Sequence, residues 1–256
     1  YSNLGVIFAN KLDYRAATRC FKQAIRIKPD LSEPRINLAK QAYDVGDTEN
    51  AMTMYSKILE SNPGHPEATS NLIYAIPRIN NNEMENSFTE ICSYAQLMES
   101  PFVSERPIQN NMNDPDRCLQ IGFVSGDFRN HAVTLYCFKL FSHLYQYSSL
   151  ETHAYHNHFT EDAVTKELKN YFHNWNSVAH LSDNQLTRTI VKDKIDILID
   201  LSNHTKNNRL CVFARKPAPL QVTSIGLPNT TGLSAVDYYF GRGEHPTGKQ
   251  FSECYV

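Results

Sequence analysis

The sequence predicts two kinds of architecture in one chain of 256 residues: an α-helical solenoid of helix pairs, then an α/β lobe built on a parallel sheet. Three observations predict this. An Asn-Leu pair recurs every 34 residues, as Asn3-Leu4, Asn37-Leu38 and Asn71-Leu72. That period then decays. From Cys118 onward, short apolar runs ending in small or polar residues alternate with stretches of helical period.

Ala17 and Ala51 keep the 34-residue step, as do Phe21 and Tyr55, and Pro29 and Pro63. Small residues, aromatics and a closing proline at fixed offsets in this period are the signature of tetratricopeptide repeats. Each such repeat is a helix pair that buries its apolar face only against its neighbours. In the first copy Leu4, Gly5, Phe8, Ala17, Phe21, Ala24 and Pro29 fall on the expected positions. Gly5 and Ala17 let the paired helices approach, and Phe8 and Phe21 fill the gaps between them. The second copy runs from about Ser32 to Pro63, and a third is degenerate, so residues 1–75 are assigned to repeats.

Residues 76–117 are assigned to a connecting helix and linker. Asn82 to Ser100 reads as an amphipathic helix, with Phe88, Ile91, Tyr94, Ala95 and Met98 at steps of three and four. Pro101 to Arg117 carries three prolines and no period, as a linker or an extended crossing segment does.

Residues 118–256 are assigned to a Rossmann-like lobe. The run from Cys118 to Gly126 reads as a buried parallel strand, followed by a helix over Val133–Tyr147. A strand near Thr152–His156, a helix near Glu161–Phe172 and a weaker strand near Asn176–Leu181 come next. Asp183–Lys192 is helical with Ser182 as its N-cap. Asp196–Ser202 is the clearest buried strand; Arg209–Arg215 is a short helix stopped by Pro217, and Leu220–Gly226 another strand. Alternating strands and helices indicate a parallel sheet covered on both faces, whose ligands bind outside the carboxyl ends of the strands. Those ends are Ser125-Gly126-Asp127, Ser202-Asn203-His204 and Gly226-Leu227-Pro228.

Net charge is -2, which favours neither a nucleic acid nor an anionic membrane surface as partner. The longest apolar runs are strand-sized, so no membrane-spanning helix is expected. The six cysteines are scattered without Cys-x-x-Cys spacing, which fits reduced thiols and a cytoplasmic location. The chain opens at Tyr1 inside a helix signature, with no initiator Met or signal peptide, so both ends are expected to be cuts in a longer protein.

Three segments in order carry a family resemblance: Ile121–His131 (IGFVSGDFRNH), Asp196–Val222 (DILIDLSNHTKNNRLCVFARKPAPLQV) and Gly226–Gly232 (GLPNTTG). Behind tetratricopeptide repeats, they resemble the O-GlcNAc transferase family, including its bacterial and SPINDLY-like members. The resemblance implies an inverting, two-lobed glycosyltransferase of the GT-B type. It implies transfer of a sugar from a nucleotide-sugar such as UDP-GlcNAc to Ser or Thr of proteins, with no metal or other cofactor. It also implies that the chain holds the repeats and the first lobe, without the second lobe that contacts the nucleotide. The piece alone is then expected to be inactive, and in a eukaryote the location would be nucleocytoplasmic.

By the same resemblance His131 faces the transferred sugar and the acceptor, as a proton acceptor or as a sugar-positioning group. His204 matches a polar ring residue of the second turn. Lys206 and the loop holding Gly226, Pro228, Thr230 and Thr231 would border the sugar and phosphate side of the cleft. Asp127 is placed on that side too, with ordering of its turn as the alternative. Asn3, Asn37 and Asn71 match an asparagine ladder that grips the backbone of acceptor proteins along the repeats; the alternative is that each bonds only its own neighbours.

Asn203 stands where the family usually has Gly, Leu227 and Asn229 replace Tyr and Gly, and Asp196 sits where animal members carry His. Asn tolerates left-handed backbone, so both turns are expected to survive. Asn203, Leu227 and Asn229 support the alternative reading of a repeat scaffold with an inactive lobe. Two other motifs are set aside. His153, His156 and His158 alternate across a strand with no Cys or Glu to complete a metal site. The stretch 243–250 is close to a phosphate-binding loop but lacks its closing Ser or Thr.

Overall fold

The structure, a computed structural model, describes residues 1–76, 84–112, 114, 116–241 and 252–255. The stretch 243–250 and the first two residues of the expected helix over 82–100 lie outside the described residues. The chain divides into two compact units, Tyr1–Ser87 and Phe88–Val256.

The first unit holds α1 (Ser2–Asn10), α2 (Tyr14–Ile27), α3 (Ser32–Asp44), α4 (Thr48–Ser61) and α5 (Pro66–Ala75). Each packs on the next, and α1 also on α3, and α3 on α5. The 34-residue step explains why. Ala17 and Ala51 are fully buried at equivalent points of α2 and α4, with Phe21 and Tyr55 one turn later filling the space beside them. A Cβ on Gly5 would lie 2.4 Å from the Phe21 ring, so the bare backbone at Gly5 is what lets α1 close onto α2. Asp13 caps α2 by accepting the Ala16 amide at 3.0 Å. Gly46 and Gly64, at φ of +90 and +76, turn the chain after α3 and α4.

The second unit takes in α6 (Met84–Glu99) from Phe88 onward and then a 3-10 turn, Ser100–Glu105. Ile91, Ala95 and Met98 form the buried stripe of α6. The next residues cross the lobe in extended form, tied by side chains: Arg106 to the Ala214 carbonyl, Gln109 to the Lys216 carbonyl, and Arg117 to Asp196 at 2.5 Å.

The sheet consists of β1 (Leu119–Ser125), β2 (Leu150–His156), β3 (Asn174–Ser177), β4 (Ile197–Asp200), β5 (Leu220–Ser224), β6 (Tyr238–Phe240) and β7 (Cys254–Tyr255). Its order is β3-β2-β1-β4-β5-β6-β7, and every pairing is parallel. Helices α7 (Ala132–Leu144), α8 (Ala163–Leu168), α9 (Asp183–Lys192) and α10 (Leu210–Ala214) connect β1 to β5. Two expectations change here. The weak strand sits earlier than 176–181, as β3, and Val178 just past it is buried with its N–H on the His156 carbonyl at 2.9 Å. Strands β6 and β7 were not foreseen; with three and two residues, they carry too little pattern to read.

The core on one face is aromatic. Phe123, Phe128, Phe141 and Phe172 pack with centroids 4.9 to 5.9 Å apart. Such pairs add about 0.5–1.5 kcal/mol each beyond their burial. Phe128 belongs to the loop after β1, so this core also anchors that loop.

Candidate functional site

Strand order reverses between β1 and β4, and in open parallel sheets this switch point opens the ligand crevice. Three loops meet the carboxyl edge there: residues 126–131 after β1, 202–208 after β4 and 225–232 after β5.

The first loop is fixed from below and from the side. Ser125 Oγ accepts the Asp127 amide at 2.9 Å, and Thr134 Oγ1 donates to the Asp127 carbonyl. Thr165 of α8 donates to the Phe128 carbonyl at 2.8 Å, and Asp162 accepts the Asn130 amide at 2.7 Å. That amide is the largest cause holding the Asp162 carboxyl below its ordinary range. His131 therefore sits at the N-cap of α7 on an immobilised loop. Its Nδ1 accepts the Val133 amide at 3.3 Å, and its side chain is 38% exposed. With Nδ1 accepting, the neutral ring carries its proton on Nε2 and is a donor through that atom. Asp127 Oδ2 is 3.7 Å from Nδ1, and Asp127 Oδ1 takes Arg129 at 3.1 Å.

The second loop is organised by Asp200, fully buried at the end of β4. Its carboxylate accepts the Ser202 amide at 3.0 Å, the Asn203 amide at 2.7 Å and the Thr223 hydroxyl at 2.8 Å. Burial raises its pKa to about 6 despite these donors. Asn203 has φ +48, so the left-handed turn survives with Asn in place of Gly. Gly126 makes room for this loop: a Cβ there would lie 2.8 Å from Asn207 Cβ. Lys206 is exposed, and its ammonium has no partner among the described residues.

The third loop approaches the second so closely that a Cβ on Gly226 would lie 2.3 Å from the Ser202 carbonyl oxygen. His204, 2% exposed, donates from Nε2 to the Thr231 carbonyl at 2.9 Å. Burial lowers its pKa to about 4, which keeps it neutral near pH 7. The expectation of a catalytic His204 thus meets a ring suited to holding the third loop rather than to exchanging protons. Thr230 and Thr231 are also redirected. Both are fully buried, and both hydroxyls donate to the carboxylate of Glu253, which further accepts the Thr231 amide at 2.8 Å. Pro228 is exposed at the loop's apex.

Glu253 and Asp200 are the two groups that sequence reasoning missed. Glu253 lies outside the motif it serves, immediately before a two-residue strand. Asp200 is the single ionisable group inside an otherwise apolar run, and that was a readable signal. Asn3, Asn37 and Asn71 belong to the other unit, on α1, α3 and α5. None of their side-chain amides has a hydrogen-bond partner among the described residues. His153 bonds Gln120 at 2.7 Å, while His156 packs between Phe128 and Trp175. Among the described residues no group of three or more His, Cys, Asp or Glu could hold a metal ion.

A parallel sheet in this order, with three braced polar loops at its switch point, defines a Rossmann-like ligand-binding lobe. Residues 65–244 match glycosyl transferase family 41, and the chain belongs to that family. It is 36% identical over 133 residues to "Probable UDP-N-acetylglucosamine--peptide N-acetylglucosaminyltransferase SPINDLY" of Arabidopsis thaliana, covering 50% of this chain and 14% of that protein. The protein of the same name from Oryza sativa subsp. japonica is 31% identical over 192 residues, 72% of this chain and 20% of that one. A solved structure of a Thermobaculum terrenum O-GlcNAc transferase mutant superposes with a TM-score of 0.85 at 29% identity, covering 99% of this chain and 49% of the other. The chain thus spans a fifth or less of the curated relatives named and about half of that structure.

Proposed function

We propose that this chain is the repeat region and first lobe of a protein O-glycosyltransferase that moves a sugar, with inversion, from a nucleotide-sugar to Ser or Thr of proteins. The names of the relatives support UDP-GlcNAc as donor and a peptide as acceptor. The observation that carries the reading is the set of three mutually braced loops at the switch point, with the half-exposed His131 held on the first. In this reading the first unit is a tetratricopeptide solenoid. Its 34-residue step, the packing of each helix on the next with α1 also on α3 and α3 on α5, and three asparagines at equivalent positions whose side chains have no partner among the described residues support it. A cytoplasmic location is part of the same reading, supported by six free cysteines.

The chemistry is one displacement. The acceptor hydroxyl oxygen forms a bond to the anomeric carbon as the bond from that carbon to the diphosphate oxygen breaks. The hydroxyl proton leaves to a base, and the diphosphate carries away the electron pair. His131 as found, donating through Nε2, suits holding a sugar or acceptor oxygen. To act as the base it must move its proton to Nδ1, facing Asp127, and give up the Val133 amide. Lys206 and the Leu227 N–H, which has no partner among the described residues, suit the donor's oxygens. Thr230 and Thr231 support that loop through Glu253, and His204 through Thr231.

The test is sugar transfer by the full-length protein to Ser/Thr peptides, with a panel of nucleotide-sugars that includes UDP-GlcNAc and a fucose donor. A scaffold with an inactive lobe would bind the peptides and leave them unmodified. Its support, the departures at Asn203, Leu227 and Asn229, is weakened by the intact turn at Asn203.

A further inference from the structure

We infer that Asn203 is a positioning residue that fixes the apex of the third loop, Leu227–Asn229, and through it the affinity for the nucleotide-sugar donor. The inference rests on the proposed transferase reading for its ligand but not for its geometry.

Asn203 is fully buried, and its backbone N–H and both polar atoms of its side chain are hydrogen-bonded. Its backbone N–H goes to Asp200 Oδ2 at 2.7 Å, and its Oδ1 accepts the His204 amide at 2.7 Å. The two hydrogens of Nδ2 go to two carbonyls of one short segment, Asn229 at 2.7 Å and Leu227 at 3.3 Å. An amide is the one uncharged side-chain group of this size that offers two donors and an acceptor at once. The left-handed backbone at φ +48 aims it, and Asn accepts that conformation at little cost.

The apex has no comparable support of its own. Its internal backbone bonds are two tight steps, Gly226 N–H to Ser224 at 2.6 Å and Asn229 N–H to Leu227 at 2.7 Å. Ile225 between strand and loop is held at φ +50, a strained value for a β-branched residue. Glu253 and His204 hold only the later part, Thr230 and Thr231. Among the described residues Asn203 is the one group beyond the loop that holds the Leu227 and Asn229 carbonyls inward. Turned inward, they are kept away from an oxygen-rich ligand, and the Leu227 N–H is left as the apex donor without a partner among the described residues. Acceptor oxygens facing a diphosphate-sugar would repel it, so the direction of these two carbonyls sets donor affinity.

The test uses Asn203→Gly in the full-length protein, because Gly keeps the left-handed turn and deletes only the side chain. Two readouts are taken: peptide-level amide hydrogen exchange over residues 225–230, and KM for donor and acceptor separately. The expected result is exchange faster by about tenfold in that segment, with donor KM raised about tenfold and acceptor KM unchanged. Unaltered exchange overturns the positioning role. Faster exchange with unchanged donor KM makes Asn203 merely structural and overturns the link to the donor. A wild-type protein without transferase activity removes the proposed function instead, and the exchange readout still decides whether Asn203 holds the loop.

Discussion

His131 Nδ1 lies 3.7 Å from Asp127 Oδ2 while it accepts the amide of Val133, so the ring shows its Nε2–H outward and has a carboxylate waiting behind it. This arrangement makes two roles experimentally separable. His131→Ala in the full-length protein is expected to lower turnover at least tenfold, about 1.4 kcal/mol or more of transition-state stabilisation. If the ring is the base, the loss falls on kcat with KM little changed; if it positions a sugar or acceptor oxygen, KM rises as well. Unchanged turnover would remove His131 from the site.

Asp200 and His204 oppose each other in acid. Asp200, moved from 3.8 up to about 6, keeps its proton in the folded state where the unfolded chain has lost it, so stability falls as pH rises through that window. His204, moved from 6.5 down to about 4, stays neutral where the unfolded chain is charged, so stability rises with pH over that range. Denaturant titrations between about pH 4.5 and 7 should therefore show a stability deficit for Asp200→Asn that widens as pH falls, by up to about 1.4 kcal/mol per unit. The deficit for His204→Gln should narrow over the same range. The reverse trends would contradict these assignments.

Glu253 joins three donors, the hydroxyls of Thr230 and Thr231 and the Thr231 amide, in a buried pocket. Glu253→Ala leaves the Thr231 hydroxyl and amide without their acceptor and the Thr230 hydroxyl with Ser252 Oγ at 2.9 Å, and is expected to cost about 1–3 kcal/mol in denaturant unfolding. Glu253→Gln keeps one acceptor oxygen and should recover part of the loss. A neutral effect would mean that solvent already serves these donors.

The Asn37 and Asn71 side chains have no hydrogen-bond partner among the described residues, so Asn37→Ala and Asn71→Ala should leave unfolding free energy within about 0.5 kcal/mol of wild type. Their effect should fall on acceptor peptides, as a raised KM for long peptides and an unchanged KM for the donor. Loss of stability instead would favour a local structural role.

Much of this was readable because it is local. Ser182 and Gln185 form the reciprocal cap that starts α9, and the apolar stretches around β1 and β4 lie in buried strands. The left-handed turn at Asn203 was anticipated from residue type. What could not be read is what arrives from far along the chain. Glu253 reaches Thr230 across 23 residues, and Asp162 reaches Asn130 across 32. The two threonines looked like ligand hydroxyls until their buried acceptor was in view. His204 looked like a titrating group, because burial is set by the packing of the third loop over it and not by its neighbours in sequence.

The most direct measurement is intact-mass analysis of a Ser/Thr acceptor peptide after incubation with the full-length protein and UDP-GlcNAc, with His131→Ala alongside. The account predicts one added N-acetylhexosamine per modified hydroxyl, slowed at least about tenfold in the variant. A peptide that binds the protein and stays unmodified with every nucleotide-sugar offered would contradict it.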